Sequence, residues 1–236
     1  MPNENQSKPG QTGSSHVVPP SAAEQIAHRS LMKMAFLVEG GLFGLGLAIA
    51  YVGFFDRTQP LNAIDARQWR TAGIWGGMGT IPMLLYLAVY HFYSPRVLRP
   101  MREFVEVHLK PLFQQCSIME LVVISLLAGF CEELFFRWCL QGGISWISQS
   151  LVAGLLVASV VFGLCHWVNR SYGITTTLIG IYLGWLMVWT GTWLAPAIAH
   201  ALFDFVALVY IARFEGGAGN AREPTGLCDE SDTCAE

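Results

Sequence analysis

The chain reads as six apolar stretches separated by polar segments. They run from Met34 to Phe55, Ala72 to Tyr93, Ile118 to Leu140, Leu151 to Trp167, Ile174 to Thr190 and Trp193 to Ile211. Most have the roughly 17–25 residues that a helix needs to cross a bilayer. The fourth and fifth are short, so one of them is expected to be tilted, broken or only partly inserted. The predicted fold is all-α: a polytopic membrane bundle of about six transmembrane helices. Between the second and third stretches, SPRVLRPMREFVEVHLKPLFQQCS mixes Arg96, Arg99, Arg102 and Lys110 with Val97, Leu98, Phe104, Val105 and Leu109. That mixture predicts an amphipathic helix lying at the membrane surface.

Small residues four apart, Gly40 with Gly44 and Gly180 with Gly184, are the spacing that lets membrane helices approach closely, and they are read here as packing positions. Pro82 and Pro196 lie inside apolar stretches and are expected to kink or start helices. Residues 1–29 are polar and without period, a disordered tail with no basic segment leading at once into an apolar run. Residues 215–236 form a second, acidic tail.

Composition sharpens this picture. Charged residues are 13% of the 236 and hydrophobic ones 53%, where a soluble domain has roughly 25% charged. The net charge of −3 gives no reason to expect a nucleic-acid partner. No pair of the six cysteines has metal-ligand CxxC spacing, and Cys228 and Cys234 are read as a free pair in the tail. Six spans put both termini on one side. Lys8, Arg29, Lys33, Arg96, Arg99, Arg102, Lys110, Arg170, Arg213 and Arg222 fall on that side, and Arg57, Arg67 and Arg70 on the other. This bias places both termini in the cytoplasm, with the protein in the cytoplasmic membrane.

The candidate chemistry lies inside the spans. CEELFFRWCL carries Glu132, Glu133 and Arg137, and each charge near the bilayer centre costs at least about 2.5–3.5 kcal/mol. Glu133 and Arg137 are four apart, acid first, so they share a helix face and can neutralise each other. Glu132 lies about 100° around the helix and stays free for other work, such as that of a general base. VFGLCHW places His166 four residues after Phe162, and PAIAHALFDF places Asp204 four after His200. A lone His at a span end is more often interfacial than functional. A His–carboxylate pair is either an oriented base, a hydrogen-bond donor, half of a metal site, or glue between helices. Two His and a carboxylate with an open position form a hydrolytic zinc set; without metal the same groups can activate a water and hold an oxyanion.

These residues resemble the motifs of the CPBP family of CAAX-processing and bacteriocin-processing intramembrane proteases, also called Abi. That family shows EExxxR, FxxxH and HxxxN or HxxxD on separate helices. Here they read Glu132-Glu133-x-x-x-Arg137, Phe162-x-x-x-His166 and His200-x-x-x-Asp204, within residues 117–211. The resemblance implies an endopeptidase acting on a membrane-associated peptide or protein, with residues 30–214 as the protease domain. It implies that Glu132 and His166 activate water, that His200 and Asp204 hold the oxyanion or a metal, and that Glu133, Arg137 and Phe162 support them. Metal-dependent and metal-free glutamate mechanisms are both carried over. A zinc site would draw on Glu132, His166, His200 and Asp204. Asp204 stands where the prenyl-processing branch has Asn, so prenylated substrates are not carried over. The rival reading is a non-catalytic scaffold or a proton- or ion-conducting bundle.

Depth poses a difficulty. At 1.5 Å per residue, Glu132 lies about 21 Å into the third stretch and His200 about 10 Å into the sixth, while His166 is near the far end of the fourth. One site therefore requires the third helix to continue past Gln141, or the fourth to tilt or begin late.

Overall fold

The computed structural model describes residues 22–52, 64–93 and 96–214, and these are helical throughout apart from short connections. In chain order the helices are α1 (Ala22–Val52), α2 (Ala66–Tyr93), α3 (Arg99–Phe104), α4 (Lys110–Phe113), α5 (Ile118–Leu127), α6 (Gly142–Ser148), α7 (Leu151–Cys165), α8 (Arg170–Thr190) and α9 (Leu194–Arg213). The protein is an all-α membrane bundle, as the apolar blocks require. Among the described residues, four helices are long and apolar enough to cross a bilayer: those over His28–Ile49, Ala66–Tyr93, Arg170–Thr190 and Leu194–Arg213. The two further spans expected from the sequence differ. The one holding Glu132 is interrupted by charge, and α7 has only 15 residues, about 22 Å of rise.

α1 begins at Ala22, eight residues before the boundary expected at residue 30; residues 1–21 and the tail 215–236 lie outside the described residues. Its inward face is a single row of half-buried or buried positions, His28, Leu31, Met32, Ala35, Glu39, Leu42 and Gly46, with lipid-facing residues between them. Gly40 and Gly44 fall off that row, and a Cβ on either would meet nothing within 4 Å. They are not packing positions, contrary to the reading from spacing. Gly180 and Gly184 are: a Cβ at Gly180 would meet Ser159 and Phe162, and one at Gly184 would stand 2.6 Å from Gln141 Oε1.

α5 starts at a capping box in which Ser117 and Glu120 exchange hydrogen bonds, the Ser117 N–H donating to Glu120 Oε2 at 2.8 Å. From there the chain stays helical to Ser148, through wide π turns at Ala128–Glu132 and Leu134–Gln141. The third helix therefore does run past Gln141. It ends where Gln149 takes a left-handed conformation (φ 53°), and Ser150 caps α7, which returns alongside. α9 is the centre of the bundle, packed against α2, α5, the first π turn and α8. Pro196 lies in its first turn, and Pro82 lies inside the continuous helix α2, where Tyr182 of α8 donates to the Gly79 carbonyl at 2.8 Å.

The expected surface helix is a broken one: a 3-10 turn at Arg96–Leu98, then α3, a π turn at Val105–Leu109 and α4. It is amphipathic, with Met101, Val105, Leu109 and Phe113 turned inward and Glu103, Glu106 and His108 outward.

Candidate active site

The length of the α5–α6 run settles the depth problem. Gln149 is the midpoint between Glu132 and His166, 17 residues from each, so the antiparallel return of α7 brings both to one level. Glu132 Oε1 stands 3.7 Å from His166 Nε2. The His166 Nδ1–H donates to the Phe162 carbonyl at 2.8 Å. That bond fixes the tautomer and leaves the Nε2 lone pair facing the carboxylate. Glu132 Oε2 is buried with no hydrogen-bond partner.

Glu133 faces the other way, and nothing of it or of Arg137 is exposed. The Arg137 Nε–H donates to Glu133 Oε2 at 2.7 Å, and the His200 Nδ1–H donates to Glu133 Oε1 at 3.0 Å. His200 Nε2 lies 3.4 Å from Asp204 Oδ2, one turn along α9. Phe162 fills the space among these groups. Its ring lies 5.2 Å below the Arg137 guanidinium, 4.5 Å from the His166 ring and 6.0 Å from the His200 ring. The three motifs thus meet, each from its own helix. Glu132, His166, His200 and Asp204 line a cavity of about 290 Å³. Its other walls include Tyr86 of α2, Tyr172 of α8, and Met101, Val105 and Leu109 of the surface segment. The cavity therefore lies directly against the surface segment.

Two polar residues here were passed over in the sequence. Gln141, fully buried, donates from Nε2 to the Gly184 carbonyl at 3.0 Å and packs beside Arg137; its signal was a polar residue one turn after Arg137. Glu39, a lone acid in the first apolar stretch, faces this cluster from α1.

The four residues named as zinc ligands do not fit one shared ion. His200 has a carboxylate oxygen at each ring nitrogen, and the ligand atoms of no three of the four lie mutually within 4.8 Å. Among the described residues that spacing occurs at His28, Cys116 and Glu120. There burial pushes the Cys116 thiol up to about 11, and Glu120 is already engaged by Ser117.

Fold and site together define a polytopic helical membrane protein with a buried acid–imidazole cluster opening on a cavity. Residues 114–206 match the family model described as Rce1-like, type II CAAX prenyl endopeptidase. The matched segment carries all three motifs. A curated relative described as uncharacterized protein YpbD, from Bacillus subtilis (strain 168), is 35% identical over 109 residues. The aligned part is 45% of this chain and 52% of the relative, so the chain spans about half of that relative's length. No solved structure matches at a significant level.

Proposed function

We propose that this chain is an intramembrane endopeptidase that hydrolyses a peptide bond of a membrane-associated substrate, with a glutamate-activated water. The observation that carries this reading is the meeting of Glu132 and His166 at 3.7 Å on the wall of the cavity. Two acceptors face each other there, the Glu132 carboxylate and the His166 Nε2 lone pair. A water donating one O–H to each satisfies both and aims its own lone pair into the cavity. When its oxygen attacks a peptide carbonyl carbon, Glu132 takes the proton, and the carbonyl electron pair moves onto oxygen. The proton held between His200 Nε2 and Asp204 is the donor to that oxyanion. Collapse then breaks the C–N bond, and Glu132 returns the proton to the leaving amine. Glu133 fixes His200 by its Nδ1–H, and Arg137 offsets the charge of Glu133.

The apolar walls of the cavity and its position beneath the surface segment suit a chain that reaches the site from the membrane interface. The test is reconstitution in vesicles, followed by proteomic comparison with Glu132→Gln and His166→Ala for new C-termini. Each substitution is expected to lower cleavage by about 10²–10⁴-fold, the usual contribution of a general base, while the protein still elutes as a folded species in detergent. Wild-type turnover by both variants ends this assignment. Cleavage is also expected to survive chelation, with no stoichiometric zinc on the purified protein. Zinc bound at one per chain and activity lost on its removal would replace the glutamate mechanism with a metal one.

A further inference from the structure

A second cluster of ligating side chains stands apart from the cavity, where the start of α1 meets the start of α5. The ligand atoms of His28, Cys116 and Glu120 all lie within 4.8 Å of one another. His28 comes from α1, Cys116 from the turn between α4 and α5, and Glu120 from the first turn of α5. His28 Nε2 stands 3.2 Å from Glu120 Oε1, yet it is buried and has no hydrogen-bond partner. The ring nitrogen is close to the carboxylate without being aligned to donate to it. That separation suits a shared tetrahedral ion: two ligand atoms each about 2.0–2.1 Å from zinc stand about 3.3 Å apart. Ser117 engages only one oxygen of Glu120. Its N–H and its hydroxyl both donate to Oε2, at 2.8 and 2.9 Å, which orients the carboxylate and leaves Oε1 beside His28. Cys116 is buried, and its thiol donates to the Leu112 carbonyl at 3.7 Å. The side chains of His28 and Glu120 are 23% and 32% exposed, so the cluster is open to water on one side.

We propose that His28 Nε2, Cys116 Sγ and Glu120 Oε1 bind one zinc ion, with water as the fourth ligand. Nitrogen and sulfur donors select an ion of this kind over magnesium or calcium. The thiol releases its proton to solvent on binding, and thiolate and carboxylate together balance the two charges of the ion. The protein supplies three ligands where a structural zinc site has four, and a buried thiol has to give up its proton. The site is therefore exchangeable: it empties on purification without added metal and fills when zinc is supplied. Filled, it fastens α1, the end of the surface segment and α5 to one another. Arg213, at the end of α9, already joins them by donating to the Gln114 and Cys116 carbonyls at 3.0 and 2.9 Å. Phe113 and Leu208 pack in the small core around Cys116 and also line the large cavity, so the ion steadies one part of that wall.

Titration of the metal-free full chain in nanodiscs with Co²⁺ and with Zn²⁺ tests the site. One ion per chain is expected, with a thiolate-to-cobalt charge-transfer band in the near ultraviolet that added zinc abolishes. Cys116→Ser should remove the band. His28→Ala and Glu120→Gln should each weaken binding by at least about tenfold, the loss typical for even an outer partner of a metal ligand. Glu120→Gln keeps the capping box, which accepts either side chain at that position, so its loss of metal does not report a misfolded helix. Zinc should raise the melting temperature of the wild type and leave those of the three variants unmoved. Glu132→Gln and His166→Ala should bind the ion as the wild type does. Absence of both band and zinc uptake would leave a plain His28–Glu120 ion pair and overturn the proposal. A band that persists in Cys116→Ser would overturn it too. So would one lost in Glu132→Gln or His166→Ala, which would put the ion in the cavity instead. No readout here uses peptide cleavage, so the metal site and the peptidase reading stand or fall separately.

Discussion

Glu133 bears both hydrogen bonds that hold the cluster rigid, one from Arg137 and one from His200. Both members of the ion pair are fully buried. Removing one partner strands the other's charge, which costs about 3–5 kcal/mol in such settings. Glu133→Leu and Arg137→Leu should each lower the thermal denaturation midpoint in detergent strongly. The double Leu variant should recover part of that loss, because no stranded charge remains. A single variant melting like the wild type would show that the pair is solvated after all. The pairing itself was legible, since an acid four residues before a base shares its helix face. So was the divergence of Glu132 and Glu133, since neighbours on a helix point apart. What was not legible was Glu39, because one acid in an apolar stretch has no companion within its own sequence window.

At the scale of elements, the geometry departs from the sequence pattern in the α5–α6 run. Its wide turns are of the kind that occur at functional sites. They carry Glu132 to α7 and Glu133 to α9 while the helix continues for another two turns. Periodicity does not announce such turns, and for that reason the depth of His166 looked inconsistent. The glycines show the same limit. Gly40 and Gly44 have the spacing of a packing motif but face outward, since spacing alone does not distinguish lipid from a neighbouring helix. Gly129 has no glycine four residues away, yet it lies tightly against the backbone of another helix. A Cβ there would fall 2.6 Å from both Cβ and N of Ala201, next to His200. Gly129→Ala should therefore force α9 away and cut both cleavage and melting temperature, by at least the roughly 1–3 kcal/mol of an overpacked core. Gly40→Ala with Gly44→Ala should stay within about 0.5 kcal/mol of wild type. Paired thermal melts of these variants settle the point, and a harmless Gly129→Ala would mean that the π turn can yield.

Over the whole molecule, the candidate site is built on a helical hairpin folded about Gln149, and the two arms from that turn to Glu132 and His166 are of equal count. Equality of count makes the hairpin a length gauge. One alanine inserted between Leu156 and Val157 advances every later residue of α7 by about 100° and 1.5 Å, and His166 then swings out of reach of Glu132. Cleavage should be lost although the inserted residue touches nothing in the cavity. Two glycines inserted between Gln149 and Ser150 lengthen only the bend, and product formation should persist near the wild-type rate. Chain length in the arms is thus held as tightly as the identity of the acid and the imidazole, whereas the bend itself is free to drift.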